Sequence, residues 1–482
     1  MSGFNFDNTY LSLPGKFYTP VKPEQFKKPE FSVVNRDFFS ALDIDFGSED
    51  EMLSILSGQS LHKNSNPFAQ AYAGHQFGSF TMLGDGRAVF LGEHLTNQNI
   101  RFDIQLKGAG RTPYSRGGDG KAVLKAMLRE HLIGEAMHHL NIPTSRSLAV
   151  IKTGEDVYRE TINDGALLAR VMKSHIRIGT FEFASYFGSK EDLEALLHYT
   201  IERIYPAIKG DKNPALRFLK EVMRVQIDLV VNWMRVGFIH GVMNTDNVSV
   251  SGESFDYGPC AFMNSYHPQT FFSSIDVNGR YSFANQPKVL KWNLIKLAQA
   301  LLPLIDTTIE NAIPLAQQTL DSFDTIWTDS FYTVMLDKLG VENKTVNDRH
   351  LADEVLHLME QLKLDYTNTF AALSSEIEPL TAPLTENPLM KKWLLRWKKR
   401  VAQNSYGFET AKKIMKNHNP IFIARNHTVE KALDEACDGD YRTFNQLEKI
   451  LKSPYSYHSG CSNSLNPPSQ EFQNSYQTFC GT

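Results

Sequence analysis

The chain has 482 residues with 50 Lys+Arg against 54 Asp+Glu, a formal charge of −4. A 42% hydrophobic and 11% aromatic content supplies a large core and excludes a disordered or fibrous protein. The near-neutral balance argues against a nucleic-acid binder, which needs surplus Lys and Arg to neutralise phosphates. No run of about 18 uncharged apolar residues occurs. Even VQIDLVVNWMRVGFIHGVM contains Asp228, Asn232 and Arg235, so no membrane role is expected. The N-terminus lacks a basic start followed by an apolar run, so no signal peptide is expected. Four cysteines, Cys260, Cys437, Cys461 and Cys480, are too few for a disulfide framework and point to a cytoplasmic protein.

In chain order, residues 1–65 are rich in Pro, Phe, Asp and Asn and read as an irregular wrapping segment, with one short helical pattern near EDEMLSILSG. Residues 66–180 turn strand-like and Gly-punctuated: FGSFTML, GRAVFLGEHL, RFDIQLKG, SLAVIKTG, DVYRETI and ALLARVM alternate or run as short apolar strings. Inside this sheet lobe, KAVLKAMLREHLIGEAMHHL puts Val123, Leu124, Met127, Leu128, Leu132, Met137 and Leu140 at helical spacing, with Asp119 as its N-cap. Residues 181–455 are mostly helical, interrupted by strand-like NVSVSG and SFDYG. Residues 456–482 read as an extended polar tail. The fold expected is α+β and bilobal: a small sheet lobe with one key helix, a larger helical lobe, and a cleft between them.

Three motifs carry chemistry. Lys107 ends a strand and Glu130 lies on the sheet lobe's helix. Protein kinases hold ATP phosphates with such a Lys–Glu pair, although taken alone it equally describes a surface salt bridge. HGVMNTDN runs from His240 to Asn247, the His-to-Asn spacing of a kinase catalytic loop, and Asp256-Tyr257-Gly258 follows where a kinase has its metal-binding Asp-Phe-Gly. An Asn and an Asp oxygen together suit Mg²⁺. The usual catalytic Asp is replaced by Val242, leaving Asp246 as the nearest carboxylate, either a base or a turn residue. No kinase glycine loop is present. LGDGRAVFLG offers Gly84, Gly86 and Arg87, which a hairpin turn explains without a ligand. Arg87, Lys107, Arg111, Arg116, Arg170, Lys173 and Arg177 nevertheless accumulate in one lobe, as a triphosphate requires. GGDGK before the helix offers backbone N–H groups to an anion. No zinc-type His/Cys spacing or serine-hydrolase elbow occurs.

The strings NPFAQAYAGHQFGSF, LGDGRA, QLKGAGRTPYSRGGDGKAVL, RVMKSHIRIGTFEF, HGVMNTDN and DYGPCAFM together closely resemble the selenoprotein O (YdiU) family, with similarity over roughly residues 68–467. The resemblance implies a kinase-like fold without the usual catalytic Asp, and protein adenylyltransferase activity. ATP would bind inverted, and AMP would pass to Ser, Thr or Tyr of a protein, with UMP transfer as a variant. It further implies that Lys107 binds phosphate with Glu130 as its partner, and that Gly84, Gly86 and Arg87 form the glycine turn. Asp119 and Gly120 would reach the nucleotide, Arg170 and Arg177 would contact phosphates, Asp246 would accept the proton, and Asn247 and Asp256 would hold Mg²⁺ or Mn²⁺. The family often ends in a redox-active selenocysteine or cysteine, which Cys480 resembles. Some bacterial members pair it with a cysteine in the loop after the DYG motif, but HPQTFFSSIDVNG here contains none; Cys260 is the cysteine nearest that loop, which leaves a Cys260–Cys480 disulfide as an open question. Two other functions remain open: a γ-phosphate kinase, and a nucleotide-binding scaffold with a redox-active tail.

Overall fold

A computed structural model describes residues 3–478 except 376 and 458. The sheet lobe is built from β1 (Tyr18–Pro20), β2 (Glu30–Val34), β3 (Phe68–Gln70), a separate hairpin β4 (Ala73–Gln76) and β5 (Ser79–Met82), then β6 (Ala88–Leu95), β7 (Arg101–Lys107), β8 (Ala122–Val123), β9 (Arg146–Tyr158) and β10 (Ile162–Met172). The main sheet has the order β1-β3-β6-β7-β10-β9-β2, with β8 added on β10. Its named pairings are antiparallel. Side chains alternate between faces. Val89, Leu91, Ile104, Leu106, Ala169 and Val171 therefore face one core cluster, while Phe90, Val150, Ala166 and Leu168 face another.

The N-terminal segment does more than wrap. Its two short strands form both outer edges of the sheet. Its helices α1 (Arg36–Ala41) and α2 (Glu49–Leu56) contribute Phe38, Phe39, Met52, Ile55 and Leu56 to the core on the sheet's outer face. SLAVIKTG and DVYRETI merge into the single strand β9, with Gly154 absorbing a φ of +70°.

Helix α3 (Leu124–His139) covers the inner face. Its N-cap is Val123, not Asp119. The intervening residues Ala122 and Val123 are taken by β8, which pairs with Gly165 and Ala166. Asp119 instead accepts the N–H of Lys121 at 3.0 Å and a paired contact from Arg159 at 2.8 and 3.0 Å.

The helical lobe begins with α4 (Ile178–Phe187), α5 (Lys190–Ile204), α6 (Pro214–Arg235) and α7 (Gln286–Ile305), and continues through helices 309–321 to 442–451. Helix α6 starts on an Asn213 cap that accepts the Leu216 N–H, with Pro214 at its first turn. It buries a stripe that includes Phe218, Val222, Met223, Val230 and Trp233. NVSVSG and SFDYG form no strands, only isolated bridges from Ser249 to Arg177 and from Ser254 to Thr144. The short pair here is β11 (Phe238–Ile239) with β12 (Ala261–Phe262). The tail is partly helical, at Ser459–Leu465 and Gln470–Ser475. The result is the expected bilobal α+β plan. None of the described helices is long and apolar enough to cross a membrane.

Candidate active site

A cavity of about 740 Å³ opens between the lobes. Gly84, Gly86, Arg87, Lys107, Asp119, Gly120, Glu130, Arg170, Arg177, Asp246, Asn247 and Asp256, the nucleotide- and metal-site residues that the family resemblance implies, line it. Its wall carries eight basic side chains against five acidic ones, a surplus that suits a polyanion.

Lys107 is the last residue of β7, where its side chain reaches across to α3. Its Nζ bonds Glu130 Oε1 and, at 2.6 Å, Asp256 Oδ1. The Lys107 and Glu130 side chains are each only 5% exposed, so this is a buried pair and not a surface salt bridge. Arg170, on neighbouring β10, donates to Asp256 Oδ1 at 2.7 Å and is held by Gln105 Oε1 at 2.6 and 3.2 Å. Burial pushes the Asp256 carboxyl up, but Lys107, Arg170 and Arg177 outweigh it and hold the group well below the usual carboxylate range. Asp256 has a φ of +61°, in the left-handed region that Asp enters more readily than most other non-Gly residues.

Asp246 and Asn247 lie on a single 3-10 turn, Thr245–Asn247, after β11. Asn247 Nδ2 donates to the Val242 carbonyl at 3.2 Å, which leaves its side-chain oxygen as the free acceptor. Asp246 is buried, and its Oδ1 has no hydrogen-bond partner among the described residues. Burial pushes its carboxyl up to about 6 against the pull of Arg177. Arg177 donates to the Asp246 carbonyl at 3.0 Å and lies over the Tyr72 and Phe255 rings at 4.0 and 5.0 Å.

The GDG stretch is not a hairpin turn. It joins β5, in the small separate sheet, to β6 in the main one. Gly84 has a φ of +119°, and a Cβ there would lie 2.4 Å from the Tyr114 ring, so the turn and the 112–120 loop close on each other. Arg87, Arg111 and Arg116 line the cavity and none of them has a carboxylate partner among the ion pairs of the described residues. Lys173, the remaining cation of the sequence cluster, is not in the lining.

The family model described as "Protein adenylyltransferase SelO" matches residues 1–452. The chain belongs to this family. Members of the SelO family named "Protein nucleotidyltransferase YdiU" are similar along the whole length. The Pelagibacter ubique protein is 50% identical over 482 residues, covering 100% of this chain and 99% of its own. The Bacillus mycoides protein is 46% identical over 486 residues, covering 100% and 99%. A solved structure titled ROP2 from Toxoplasma gondii, "a virulence factor with a protein-kinase fold and no enzymatic activity", is 12% identical, covers 74% of this chain and 96% of its own, and has a TM-score of 0.26. That score is too low to bear on fold or activity. As a SelO-family enzyme the chain is a nucleotidyltransferase with ATP as substrate and proteins as acceptors.

Several buried groups of this SelO-family site are not evident from the sequence. Asp85, between the two glycines, accepts the Gln70 N–H at 2.9 Å, and burial pushes its carboxyl up to about 6 against the nearby Arg177. Behind Asp246, Thr245 Oγ1 donates to Glu182 Oε2 at 2.5 Å and accepts the His75 N–H at 2.7 Å, while His75 Nδ1 meets Glu182 Oε1 at 2.5 Å. Burial pushes Glu182 up to about 7. His75, Glu182 and Thr245 each fall within a string quoted above, AGHQFG, RIGTFEF and HGVMNTDN, but nothing in those strings pairs them.

Of the candidate disulfide, Cys480 lies outside the described residues. Cys260 is buried and pairs with no other cysteine among the described residues, and burial pushes its thiol up to about 12.

Proposed function

We propose that the cavity transfers AMP from ATP to a Ser, Thr or Tyr hydroxyl of a protein and releases pyrophosphate, with Mg²⁺ or Mn²⁺ held by Asn247 and Asp256. The donor set fits such an ion. Asp256 Oδ1 is taken by Lys107 and Arg170, while no hydrogen bond among the described residues reaches its Oδ2. Asn247 turns its amide oxygen free by donating through Nδ2. One carboxylate and one amide oxygen leave room for the phosphate oxygens and waters that Mg²⁺ prefers. Held by Asn247 and Asp256, such an ion would supply Lewis-acid charge stabilisation to the phosphates.

The chain's own residues do the rest by positioning and charge. Lys107 and Arg170 present fixed positive charge on the Asp256 side of the cavity. Arg87, Arg111 and Arg116 offer unpaired guanidiniums on the glycine-turn side, where planar forks suit phosphate oxygens. The acceptor oxygen attacks the α-phosphorus, the bond to the bridging oxygen of the β-phosphate breaks, and the hydroxyl proton passes to Asp246. A carboxyl raised to about 6 is still largely ionised at neutral pH yet more basic than an ordinary Asp, as a general base should be.

The observation that carries this reading is the gathering of the Lys107–Glu130 pair, Asp256, Asn247 and buried Asp246 on one cavity, with Val242 where a kinase base would stand. The test is to incubate wild type and Asp256→Ala with ATP labelled at the α- or the γ-phosphate. Retained α-label that vanishes in the variant supports AMP transfer; retained γ-label makes the protein a kinase and overturns it.

A further inference from the structure

One edge of the cavity mouth is apolar and exposed. Phe77, at the tip of the β4–β5 hairpin, and Ile275, in the loop after Asp256, line the cavity with Asn244 and Asp246, yet are 41% and 50% exposed. In the same loop Phe271 is 41% and Val277 84% exposed. Exposed apolar side chains scattered singly need no explanation, but these are held in place. Phe77 has a φ of +50°, an outlier for a bulky residue. Its N–H donates to Asn244 Oδ1 at 3.1 Å, and its ring meets Tyr281 at 5.3 Å. Tyr281 donates to the same Asn244 oxygen at 2.6 Å. The loop is wound on buried Asp276, whose carboxylate accepts the N–H groups of Arg280 and Tyr281, each at 2.8 Å. A Cβ on Gly279 would lie 3.2 Å from the Phe271 ring, so that ring rests on the loop's own backbone. Hairpin tip, Asn244 and loop form one fixed unit whose apolar edge faces outward beside Asp246.

We propose that this edge is a specificity-determining shelf for the protein substrate, taking a bulky apolar residue next to the target hydroxyl. The inference rests on the AMP-transfer reading and adds a substrate class to it: acceptors flanked by Leu, Ile, Met or Phe. Gly84, Gly86 and the arginines of the lining suit phosphates; the apolar side chains next to the proton acceptor do not, and the loop's own cation, Arg280, lies over the Tyr281 and Trp292 rings. Continuity with Asp246 places a flanking side chain there as soon as a hydroxyl is in reach.

The test uses the full-length enzyme, ATP labelled at the α-phosphate, and degenerate peptides with a central Ser, Thr or Tyr. Wild type should favour a bulky apolar residue over Gly or Asp at a position beside the acceptor by on the order of tenfold or more in kcat/KM. Ile275→Ser should reduce that preference to within about threefold while leaving the affinity for a non-hydrolysable ATP analogue unchanged. Phe77→Asn, a residue that tolerates the left-handed conformation, should do the same, so the outcome does not hang on one variant folding. Equal use of apolar and polar flanks, or a preference untouched by both variants, overturns the shelf. Weakened nucleotide affinity with unchanged peptide preference also overturns it, because the edge then serves the base of ATP. Absence of α-label from every peptide and protein would instead sink the AMP-transfer reading itself.

Discussion

Gly74→Ala tests whether the placement of Asp246 matters, without altering any charge. Gly74 sits in β4, and a Cβ on it would lie 2.5 Å from Asp246 Oδ1 and 2.9 Å from Asp246 Cβ. Ordinary contact begins near 3.4 Å, so about 1 Å of movement must be found. The hairpin cannot easily supply it. The His75 and Phe77 N–H groups are bonded to Thr245 and Asn244, and the Ala73 carbonyl packs so tightly on Gly179 that a Cβ there would be 2.0 Å away. The Asp246 backbone is held in turn by Arg177, so its carboxyl group has to rotate and its Cβ, 2.9 Å from the new methyl, has to be pushed aside with it. Misplacement of a reacting group by about 1 Å costs roughly 100-fold in rate. The expected outcome is a kcat down about 100-fold with KM for ATP nearly unchanged, measured as initial rates of α-label transfer at saturating ATP beside a thermal melt. A kcat within about threefold of wild type, with unchanged melting, would refute the reasoning that Asp246 must stand where it does.

Asp256→Ala should lower turnover by on the order of 10²–10³, read from steady-state AMP transfer with circular dichroism as the check on folding. Gly120→Ala meets two obstacles, a φ of +69° and a Cβ 2.0 Å from the Gly110 carbonyl; a loss of about 1–3 kcal/mol should appear in denaturant melts together with weaker ATP binding. Burial raises Glu253 to about 7, so the folded state binds a proton that the unfolded chain has released, and stability from this group is lost as pH rises from about 4.5 through 7. Glu253→Gln should therefore gain on wild type across that window, by up to roughly 3 kcal/mol, and level off above it; a pH-independent difference between the two melts would contradict the assignment. Cys260, buried and raised to about 12, should resist iodoacetamide at pH 8 in the native protein and react once unfolded, as mass spectrometry of alkylated peptides would show.

What the sequence revealed of this site is what local spacing can encode. Lys107 at the end of an alternating strand, Glu130 on a 3.6-period helix, and the short intervals from His240 through Asn247 to Asp256 are all set within single elements or adjacent ones. The supports are not. Glu182 lies 63 residues from Thr245 and 107 from His75, and nothing near any of the three announces the others. The same holds for the sheet's outer strands. β1 and β2 are three and five residues long, too short for periodicity to register, and they become strands only because β3 and β9 offer open edges. GDG misled for the opposite reason: a local turn rule applied to a segment whose glycines are required by contact with Tyr114, thirty residues along the chain.

The two cavity carboxylates show how one fold gives the same side chain opposite proton affinities. Asp246 and Asp256 are ten positions apart, both are desolvated, and burial raises both. They separate through their neighbours: Asp256 takes Lys107 and Arg170 directly on Oδ1, whereas Arg177 reaches Asp246 only through its backbone carbonyl. One group is therefore fixed as an anion suited to hold a cation and phosphate charge, and the other is left near 6 with an unpartnered oxygen, ready to take a proton. Pairs of titratable groups driven apart in this way mark acid–base assignments.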